Sequence, residues 1–299
     1  MGNRAEKNRS YFEGWYLKHQ KDGHTVAFIP GVHSGEDGEN SAFVQVITEQ
    51  SSWYVPFSTA NFHVQPRGFA VRVGGQVFSE RGIRVDFNTS GLQCRGVLYY
   101  GNLTPPAYDV MGPFRLFPFL ECNHGVLSMK HTLRGTLELN GQTVDFTGGA
   151  GYMEKDWGTS FPKRYLWVQY VSMQEPSLSV MVSIAEIPFC GFVFPGCIAL
   201  IYCGGKEYRL ATYLGVRILR WDRTGFLIRQ RGLLLEAEVL KSHGQNILKA
   251  PQCGNMNRVI RESASCRVRF RFYCNGRLLF DLTRDEASFE YAEGDGAKG

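Results

Sequence analysis

Five glycine-containing dipeptides divide the chain and constrain its fold more than any other feature of the sequence. Each lies between runs of apolar, β-branched or aromatic residues, and three of them are Asn-Gly or Asp-Gly. Those pairs adopt the positive φ angles that two-residue hairpin turns require. We therefore predict five β-hairpins, with turns at Asp22-Gly23, Gly74-Gly75, Asn140-Gly141, Gly204-Gly205 and Asn275-Gly276.

The runs between these turns alternate between apolar and polar residues, as the strands of a half-exposed sheet do. The alternation is clearest in residues 69–73, 133–139 and 267–272, and helical spacing is scarce, with its best example near residues 256–264. Many hairpins with few helices are typical of meandering antiparallel sheet, in barrels or sandwiches. We predict an all-β fold.

A chain of 299 residues approaches the upper limit for one hydrophobic core, so two domains of about 150 residues are expected. Residues 11–16 and 152–158 resemble each other, since each places a Glu two residues after a Tyr, with a Trp close behind. This similarity fits two barrels, each opened by a Trp-bearing strand. We place the first domain at residues 1–145, the second at 146–291 and a disordered tail at 292–299.

The net charge of +5 is unevenly distributed, because residues 205–285 contain 16 Lys or Arg and only 7 Asp or Glu. Such an excess attracts nucleic acid, anionic lipid or an anionic ligand. However, Arg267, Arg269 and Arg271 alternate with apolar residues, which favours the wet face of one strand. We expect no nucleic-acid partner; an interaction module that uses this basic face is the alternative.

The sequence indicates neither export nor a membrane-spanning helix. The first residues are charged and lack the apolar core of a signal peptide, while two prolines and two glycines interrupt the most apolar stretch, residues 187–203. The eight cysteines form no CxxC pair, and no spacing is typical of a zinc site, so no metal is expected. We expect a cytoplasmic monomer or homodimer with free thiols and at most peripheral membrane contact.

Side chains suited to chemistry are densest in residues 148–162. The glycines there suggest a phosphate-binding loop, but no Gly-Lys-Ser/Thr follows and the third glycine of GxGxxG is absent. A glycine-rich turn that leads into a strand fits better. Two carboxylates, a Lys, a Tyr and a Trp lie within residues 152–157, and a polar cluster among aromatics is typical of an apolar pocket with a few placed polar groups.

Two of these motifs resemble the signatures of the tocopherol cyclase family. Ser10-Tyr-Phe-Glu-Gly-Trp-Tyr-Leu-Lys18 is similar to the family's amino-terminal signature, and residues 148–162, with Trp167 and Gln169, are similar to its central one. Residues 112–125, Ala250-Pro251 and Arg261-Glu262-Ser263 are also family-like, so the resemblance spans most of the chain. Tyr165 departs from the pattern, where a Trp is expected. Without a plastid-targeting extension, we expect a microbial prenyl-aromatic substrate.

The resemblance implies two lipocalin-like barrel halves around an apolar pocket, as in related carotenoid hydratases, and chemistry on a prenyl double bond. In the namesake reaction the alkene of a prenylated hydroquinone takes a proton, and the phenolic oxygen closes a chromanol ring on the more substituted carbon. No cofactor is expected. A carboxyl group can supply the proton when apolar surroundings raise its pKa, aromatic faces stabilise the cation, and exclusion of water prevents competing hydration.

Four carboxyl groups are candidates for the acid, and we predict catalytic roles for Glu154, Asp156 and Glu13. Glu154 and Asp156 share one side of a strand. They face either the pocket or solvent. On one face they either share a proton, which makes one of them an acid, or pair with arginines and only hold the barrels together. An inter-barrel salt bridge fits Glu13 as well as catalysis does. Glu121, the fourth candidate, and His124 fit a pocket rim.

We predict substrate contacts for seven residues, although a core role is the alternative for the tryptophans and a structural hydrogen bond for His124. The buried polar cluster favours an enzyme, a cyclase or a hydratase, over a lipocalin-like carrier of the same apolar ligand, because a carrier has little reason to bury carboxylates. His124 and His131 lie seven residues apart on a strand and make a poor metal pair. The seven are Trp15, Tyr152, Trp157, Trp167, Gln169, Glu121 and His124.

Overall fold

The computed structural model describes residues 10–117, 120–174, 177–189, 191–243 and 246–293, and within them it contains two antiparallel sheets and three short 3-10 helices. The predicted all-β class is confirmed. No helix in these ranges is long and apolar enough to cross a membrane. The helices are Thr59–Asn61, Gly112–Leu116 and Thr212–Leu214.

Twelve strands from the first half of the chain form one sheet, and ten from the second half form the other. The first sheet contains β1 (Tyr11–Lys21), β2 (His24–Ser34), β3 (Asn40–Thr48), β4 (Ser52–Phe57), β5 (Phe62–Val64), β6 (Ala70–Val73), β7 (Gln76–Ser79), β8 (Gly82–Thr89), β9 (Leu92–Tyr100), β10 (Cys122–Leu139), β11 (Gln142–Asp145) and β12 (Ala150–Gly158). The second contains β13 (Tyr165–Ser172), β14 (Leu178–Phe189), β15 (Phe192–Cys203), β16 (Lys206–Ala211), β17 (Arg217–Asp222), β18 (Gly225–Gln230), β19 (Leu233–His243), β20 (Asn246–Gln252), β21 (Asn255–Cys274) and β22 (Arg277–Ala292).

All five predicted hairpin turns are present, each between two paired strands. Asn140 and Asn275 have φ angles of 48° and 51°, and the glycines that follow them have φ angles of 83° and 78°. Two consecutive positive φ angles define the turn whose twist matches that of the flanking strands, and Asn-Gly tolerates them best. The dipeptides therefore set the register of the meander.

The two sheets follow the same plan. Each begins with a meander of four strands, β1–β4 or β13–β16, and each pairs its last long strand with its first, β12 with β1 and β22 with β13. In the first sheet β11 pairs beside β10, and in the second β20 pairs beside β21. The chain is thus a structural repeat of two halves.

The equivalent segments of this repeat differ from those that the sequence suggested. Residues 11–16 and 152–158 belong to β1 and β12, which pair with each other in the first sheet, with Glu13 opposite Trp157 and Tyr16 opposite Glu154. The strand that opens the second sheet is β13, which carries Trp167. The chain changes sheets within residues 159–164, after the boundary placed near 145, because β12 completes the first sheet. The division into domains stays a prediction.

Two further expectations need correction. The run near 256–264 is part of strand β21, not a helix; its apolar residues fall at helical spacing because Val259 is apolar yet 60% exposed, while Glu262 occupies an inward position. Strand β22 continues to Ala292, one residue into the predicted tail, and residues 294–299 lie outside the described ranges.

Each sheet packs one face on its own hydrophobic core, and a third cluster fills the space between the sheets. Trp15 and Leu17 point into the core of the first sheet, while Tyr16, between them, points toward the second sheet. Hydrogen bonds also join the sheets: Asn246 Nδ2 donates to the Thr48 carbonyl at 2.7 Å. This alternation along β1 leaves one face of each sheet to build a shared site.

The alternating arginines of β21 lie on its outer face, as predicted, since Val268, Phe270 and Phe272 between them are fully buried. Arg269 pairs with Asp281 at 2.7 Å, and Arg271 pairs with Glu236 at 2.6 Å. Acidic neighbours therefore offset much of the positive charge of this strand.

Candidate functional site

A cavity with a volume of about 190 Å³ lies between the two sheets and is partly open to solvent. An apolar cavity of ~150 Å³ holds a benzene ring, so this one accommodates a single substituted ring or a short isoprenoid segment. Its apolar wall includes Phe12, Ile29, Phe43, Phe114, Phe161 and Ile187. Polar side chains also line the cavity, among them Gln45, Thr212 and Lys249.

The first sheet contributes a cluster of three ionisable side chains to the cavity. Glu154 and Asp156 are alternate residues of β12 and share one face, as predicted, and that face lines the cavity. His124 on β10 lies directly opposite Asp156 in the strand register. Its Nδ1 lies 2.8 Å from Asp156 Oδ1, and its Nε2 lies 3.5 Å from Glu154 Oε2. The partner of both carboxyl groups is thus a histidine, not an arginine.

Glu154 is 4% exposed and is held at one of its two oxygens. The Tyr152 hydroxyl donates to Glu154 Oε2 at 2.5 Å, and the Trp167 indole Nε1 donates to the same oxygen at 3.2 Å. No hydrogen bond is described for Oε1. An oxygen that accepts two hydrogen bonds is poorly placed to carry a proton, so the acidic hydrogen of Glu154 belongs on Oε1.

Burial raises the pKa of Glu154 to about 7, and the nearby Asp156 charge adds to this effect, while His124 and the hydrogen bonds from Tyr152 and Trp167 oppose it. Burial alone lowers the pKa of His124, but the Asp156 and Glu154 charges outweigh burial and raise it to about 9. The site therefore favours a charged His124, and Glu154 keeps its proton to a higher pH than a free carboxyl group does.

The same three side chains offer ligand atoms that lie within 4.8 Å of one another, a set that metal ions also bind. Both ring nitrogens of His124, however, face carboxyl groups. We interpret the cluster as a proton-holding network because its three side chains face one another. The expected absence of a metal stays a prediction.

Glu13, Trp15 and Trp157, all predicted at the site, lie on the opposite face of the first sheet, away from the cavity. Glu13 is opposite Trp157 in the register and forms an ion pair with Lys155. The Lys155 Nζ lies 4.9 Å from the ring centre of Trp15 and 5.1 Å from that of Trp157. Because side chains alternate along a strand, a Glu two positions before Trp15 shares the core face of Trp15, and it cannot reach the cavity with Tyr16.

The other predicted contacts are divided between the wall and the layer behind it. Trp167 lines the cavity, and so does Glu121, whose exposed side chain lies at the rim. Tyr152 is fully buried behind Glu154 and does not line the cavity. Gln169 is also fully buried between the sheets, and neither atom of its amide has a hydrogen bond within the described ranges.

Sequence reasoning missed the polar residues of the second sheet. Glu262 on β21 and Glu290 on β22 line the cavity opposite Glu154, and the Tyr16 hydroxyl donates to Glu262 Oε1 at 2.9 Å. Glu262 was visible in the family-like Arg-Glu-Ser stretch, but the helix-like spacing around it concealed its inward direction. Glu290 alternates with Phe289 and Tyr291, a signal that one sequence cannot separate from an exposed face.

The fold and the site define a class: lipocalin-like all-β proteins in which two antiparallel sheets enclose an apolar cavity containing buried acids. Kievitone hydratase from Nectria haematococca has a similar structure, with a TM-score of 0.55 at 11% identity over 96% of this chain and 90% of that chain. A Nitrosomonas europaea protein provisionally described as AttH gives a TM-score of 0.53 at 8% identity, over 94% and 91% of the two chains. At these identities the similarity shows the fold alone.

Within this class the chain belongs to the tocopherol cyclase-like family, whose model matches residues 79–273. A protein of Oryza sativa subsp. japonica described as a probable chloroplastic tocopherol cyclase is 23% identical over 215 residues, 67% of this chain and 46% of that protein. The chloroplastic tocopherol cyclase of Zea mays is 28% identical over 75 residues, 25% of this chain and 16% of that protein. The matched part is thus less than half of either plant protein.

Proposed function

We propose that this protein is a cofactor-independent cyclase of a prenylated aromatic or terpenoid substrate. Glu154 protonates the alkene, and an oxygen of the same molecule attacks the resulting cation. One observation carries the proposal: Glu154 is buried beside an apolar cavity, with two donors on Oε2 and none described on Oε1. This arrangement supports a carboxylic acid that is protonated near neutral pH and directed at a bound alkene.

The neighbours of Glu154 support this role because they stabilise the state that follows proton transfer. When the Oε1–H bond breaks and a C–H bond forms, Glu154 becomes a carboxylate. The His124 imidazolium, the Tyr152 hydroxyl and the Trp167 indole then face that new charge. Fixed donors of this kind lower the barrier to a charge-forming step without rearranging. Asp156 acts through His124, which it holds in place.

The aromatic lining supports the tertiary cation that protonation of the alkene creates. Tyr16 and Trp167 pack edge to face, with ring centres 5.1 Å apart, and both line the cavity. Aromatic faces attract cations, by about 2 kcal/mol or more where water is excluded. The cation thus persists long enough for an internal oxygen to add.

Hydration of the same alkene is the second candidate function. The fold shared with kievitone hydratase favours it, and so do the polar groups around the cavity, which offer partners to an ordered water molecule. The two functions share the protonation step and differ only in which oxygen reaches the cation.

The decisive experiment is incubation of the purified protein with dimethylallyl hydroquinone in heavy water, followed by mass spectrometry. A cyclised product with one non-exchangeable deuterium on carbon is expected. A product heavier by one water makes the protein a hydratase. Unchanged substrate that co-purifies with the protein supports a carrier and overturns the enzyme proposal.

A matched pair of variants tests the acid. Glu154→Gln keeps the shape of the side chain but removes the transferable proton, so product formation falls by at least about 100-fold. Glu138→Gln makes the same change at an exposed position of β10 and leaves the rate unchanged. Full activity in the Glu154 variant shows that the acid lies elsewhere.

A further inference from the structure

The cavity contains a second pair of carboxyl groups, on the wall that faces Glu154. Glu262 and Glu290 lie directly opposite each other on β21 and β22, and both line the cavity. They are 2% and 8% exposed. Directly opposed residues of paired antiparallel strands point to the same face, with Cβ atoms about 5 Å apart. The second sheet therefore presents two buried carboxyl groups side by side.

No ion pair within the described ranges includes either of these carboxyl groups. Lys18 is near enough to lower the pKa of Glu262, but its Nζ donates to the Glu286 carbonyl at 2.7 Å. Buried carboxyl groups without a bound cation cost stability, and apolar residues of similar size pack better. Stability alone gives no reason for the pair.

One contact orients Glu262 as an acceptor. The Tyr16 hydroxyl donates to Glu262 Oε1 at 2.9 Å and lies 3.2 Å from Ser288 Oγ. Tyr16 belongs to the first sheet and is opposite Glu154 in the β1–β12 register. It therefore extends from the acid wall to the second wall, and the two carboxyl clusters line the same cavity.

Glu262 and Glu290 differ in the groups that affect their ionisation. Burial raises the pKa of Glu262 to about 7, while the Tyr16 hydrogen bond and the Lys18 charge oppose this rise. Burial, followed by the Glu262 charge, raises the pKa of Glu290 well above its ordinary value. The Tyr16 hydroxyl and the Lys18 charge both favour the ionised form of Glu262, so Glu262 is the better placed of the two to accept a proton.

We propose that Glu262, supported by Glu290, is the catalytic base of this site and that the attacking oxygen binds against the second sheet. This inference rests on the proposed function. As the Glu154 Oε1–H bond breaks and the new C–H bond forms, the attacking oxygen forms the C–O bond and gives its proton to Glu262. One proton thus moves from Glu154 to Glu262, and exchange with water at the open end of the cavity restores both groups.

The proposal makes a specific prediction for a variant that keeps the acid but lacks the base. With dimethylallyl hydroquinone in heavy water, Glu262→Gln still protonates the alkene, but the cation returns a proton from carbon to the Glu154 carboxylate and becomes an alkene again. Product falls by at least about 100-fold, while deuterium accumulates in the prenyl group of the recovered substrate. Glu154→Gln shows neither product nor deuterium, and Glu238→Gln, an exposed change on β19, matches the wild type.

The outcomes separate this inference from the proposed function. If the wild-type protein gives neither product nor deuterium entry, the proposed function fails and the base fails with it. If the wild type turns over and Glu262→Gln keeps the wild-type rate, or is folded yet loses both product and deuterium entry, only the base assignment is overturned. Circular dichroism and the melting temperature report folding.

A second variant keeps the test valid if Glu262→Gln does not fold. Tyr16→Phe removes the hydroxyl that stabilises ionised Glu262, so the pKa of this carboxyl rises. A base must be ionised to act, and the acidic limb of the pH–rate profile therefore moves to higher pH by about one unit. An acidic limb at the wild-type position in Tyr16→Phe overturns the assignment.

Discussion

The Tyr152 hydroxyl donates a hydrogen bond to Glu154 Oε2 over 2.5 Å, although the two residues lie on the same strand, two positions apart. Alternate residues of a strand share a face, which makes this contact a local property of the Tyr-Met-Glu sequence. The contact stabilises ionised Glu154 and so lowers the pKa of an acid that burial raises. The strength of the acid is therefore adjustable at a residue that does not line the cavity.

Replacement of Tyr152 by Phe removes this hydrogen bond and raises the pKa of Glu154. A hydrogen bond to a charged group contributes about 1.5–3 kcal/mol, which corresponds to a rise of about one unit or more. Because the acid must be protonated to act, the basic limb of the pH–rate profile moves to higher pH by about one unit. Rates measured from pH 5 to 10 test this.

Tyr170→Phe is the matched control for that measurement. Tyr170 is buried in the core of the second sheet, and its hydroxyl accepts a hydrogen bond from Arg284 at 3.1 Å. Its loss affects stability but not the cavity. A profile that moves equally in both variants contradicts the link between Tyr152 and the acid.

Glu154 also makes the stability of the protein depend on pH. Its pKa is 4.5 in the unfolded chain and about 7 in the fold, so the folded state binds the proton more tightly. The associated stability is complete below pH 4.5 and is lost as the pH rises through about 7. Glu154→Gln removes this loss, and above pH 7 the variant is more stable than the wild type by on the order of 2 kcal/mol.

Urea unfolding of both proteins at pH 4.5 and pH 8 measures this difference. From pH 4.5 to pH 8 the urea midpoint of the wild type decreases by more than the midpoint of Glu154→Gln does. Glu138→Gln, at its exposed position, follows the wild type. Parallel curves for wild type and Glu154→Gln indicate that Glu154 is not buried as an acid.

The sequence predicted the strand class, the five turns and the shared face of Glu154 and Asp156, because each depends on neighbouring residues. Period-two alternation and Asn-Gly chemistry are local signals. The sequence could not predict that His124 would lie opposite Asp156, because that contact depends on strand register over 32 residues. The same limit explains why Glu262 and Glu290, which share a wall only through β21–β22 pairing, were missed.

The sequence also could not show which face of strand β1 points to the core and which points to the cavity. The amino-terminal motif contains both a Glu and a Trp, and both were expected at the site, but residues 13 and 15 lie on one face of β1 and residue 16 on the other. One sequence shows alternation without showing which face is the core of a sheet and which faces the cavity. The motif therefore lies on a strand that lines the cavity, and the residues of this strand that line it are Phe12, Gly14 and Tyr16.

This placement predicts that Glu13 is dispensable for turnover. Glu13→Gln breaks a partly exposed ion pair with Lys155, worth less than about 1 kcal/mol, and leaves the product rate within about two-fold of wild type. Asp156→Asn, at a carboxyl that lines the cavity, lowers the rate by at least ten-fold because it loosens His124. A loss in Glu13→Gln as large as that in Asp156→Asn, at unchanged stability, requires Glu13 to act in the reaction.

The glycine-rich segment makes the last prediction, because Gly151 is a packing residue. A Cβ at Gly151 would lie 2.2 Å from His131 Nε2, and His131 is 1% exposed and lies opposite Gly151 in the β10–β12 register. The His131 ring packs on Tyr100 and contacts Ser128 Oγ, and a shift of the ring would disturb both contacts, so Gly151→Ala destabilises the fold by about 1–3 kcal/mol. Gly75→Ala is the control, since nothing lies within 4 Å of its Cβ and its φ is not positive. We expect Gly75→Ala to unfold within about 1 kcal/mol of wild type. Equal free energies of unfolding for the two variants in urea would mean that β12 can separate from β10 at this point. The acid cluster lies on the same two strands, and it would then lack the fixed register that its geometry requires.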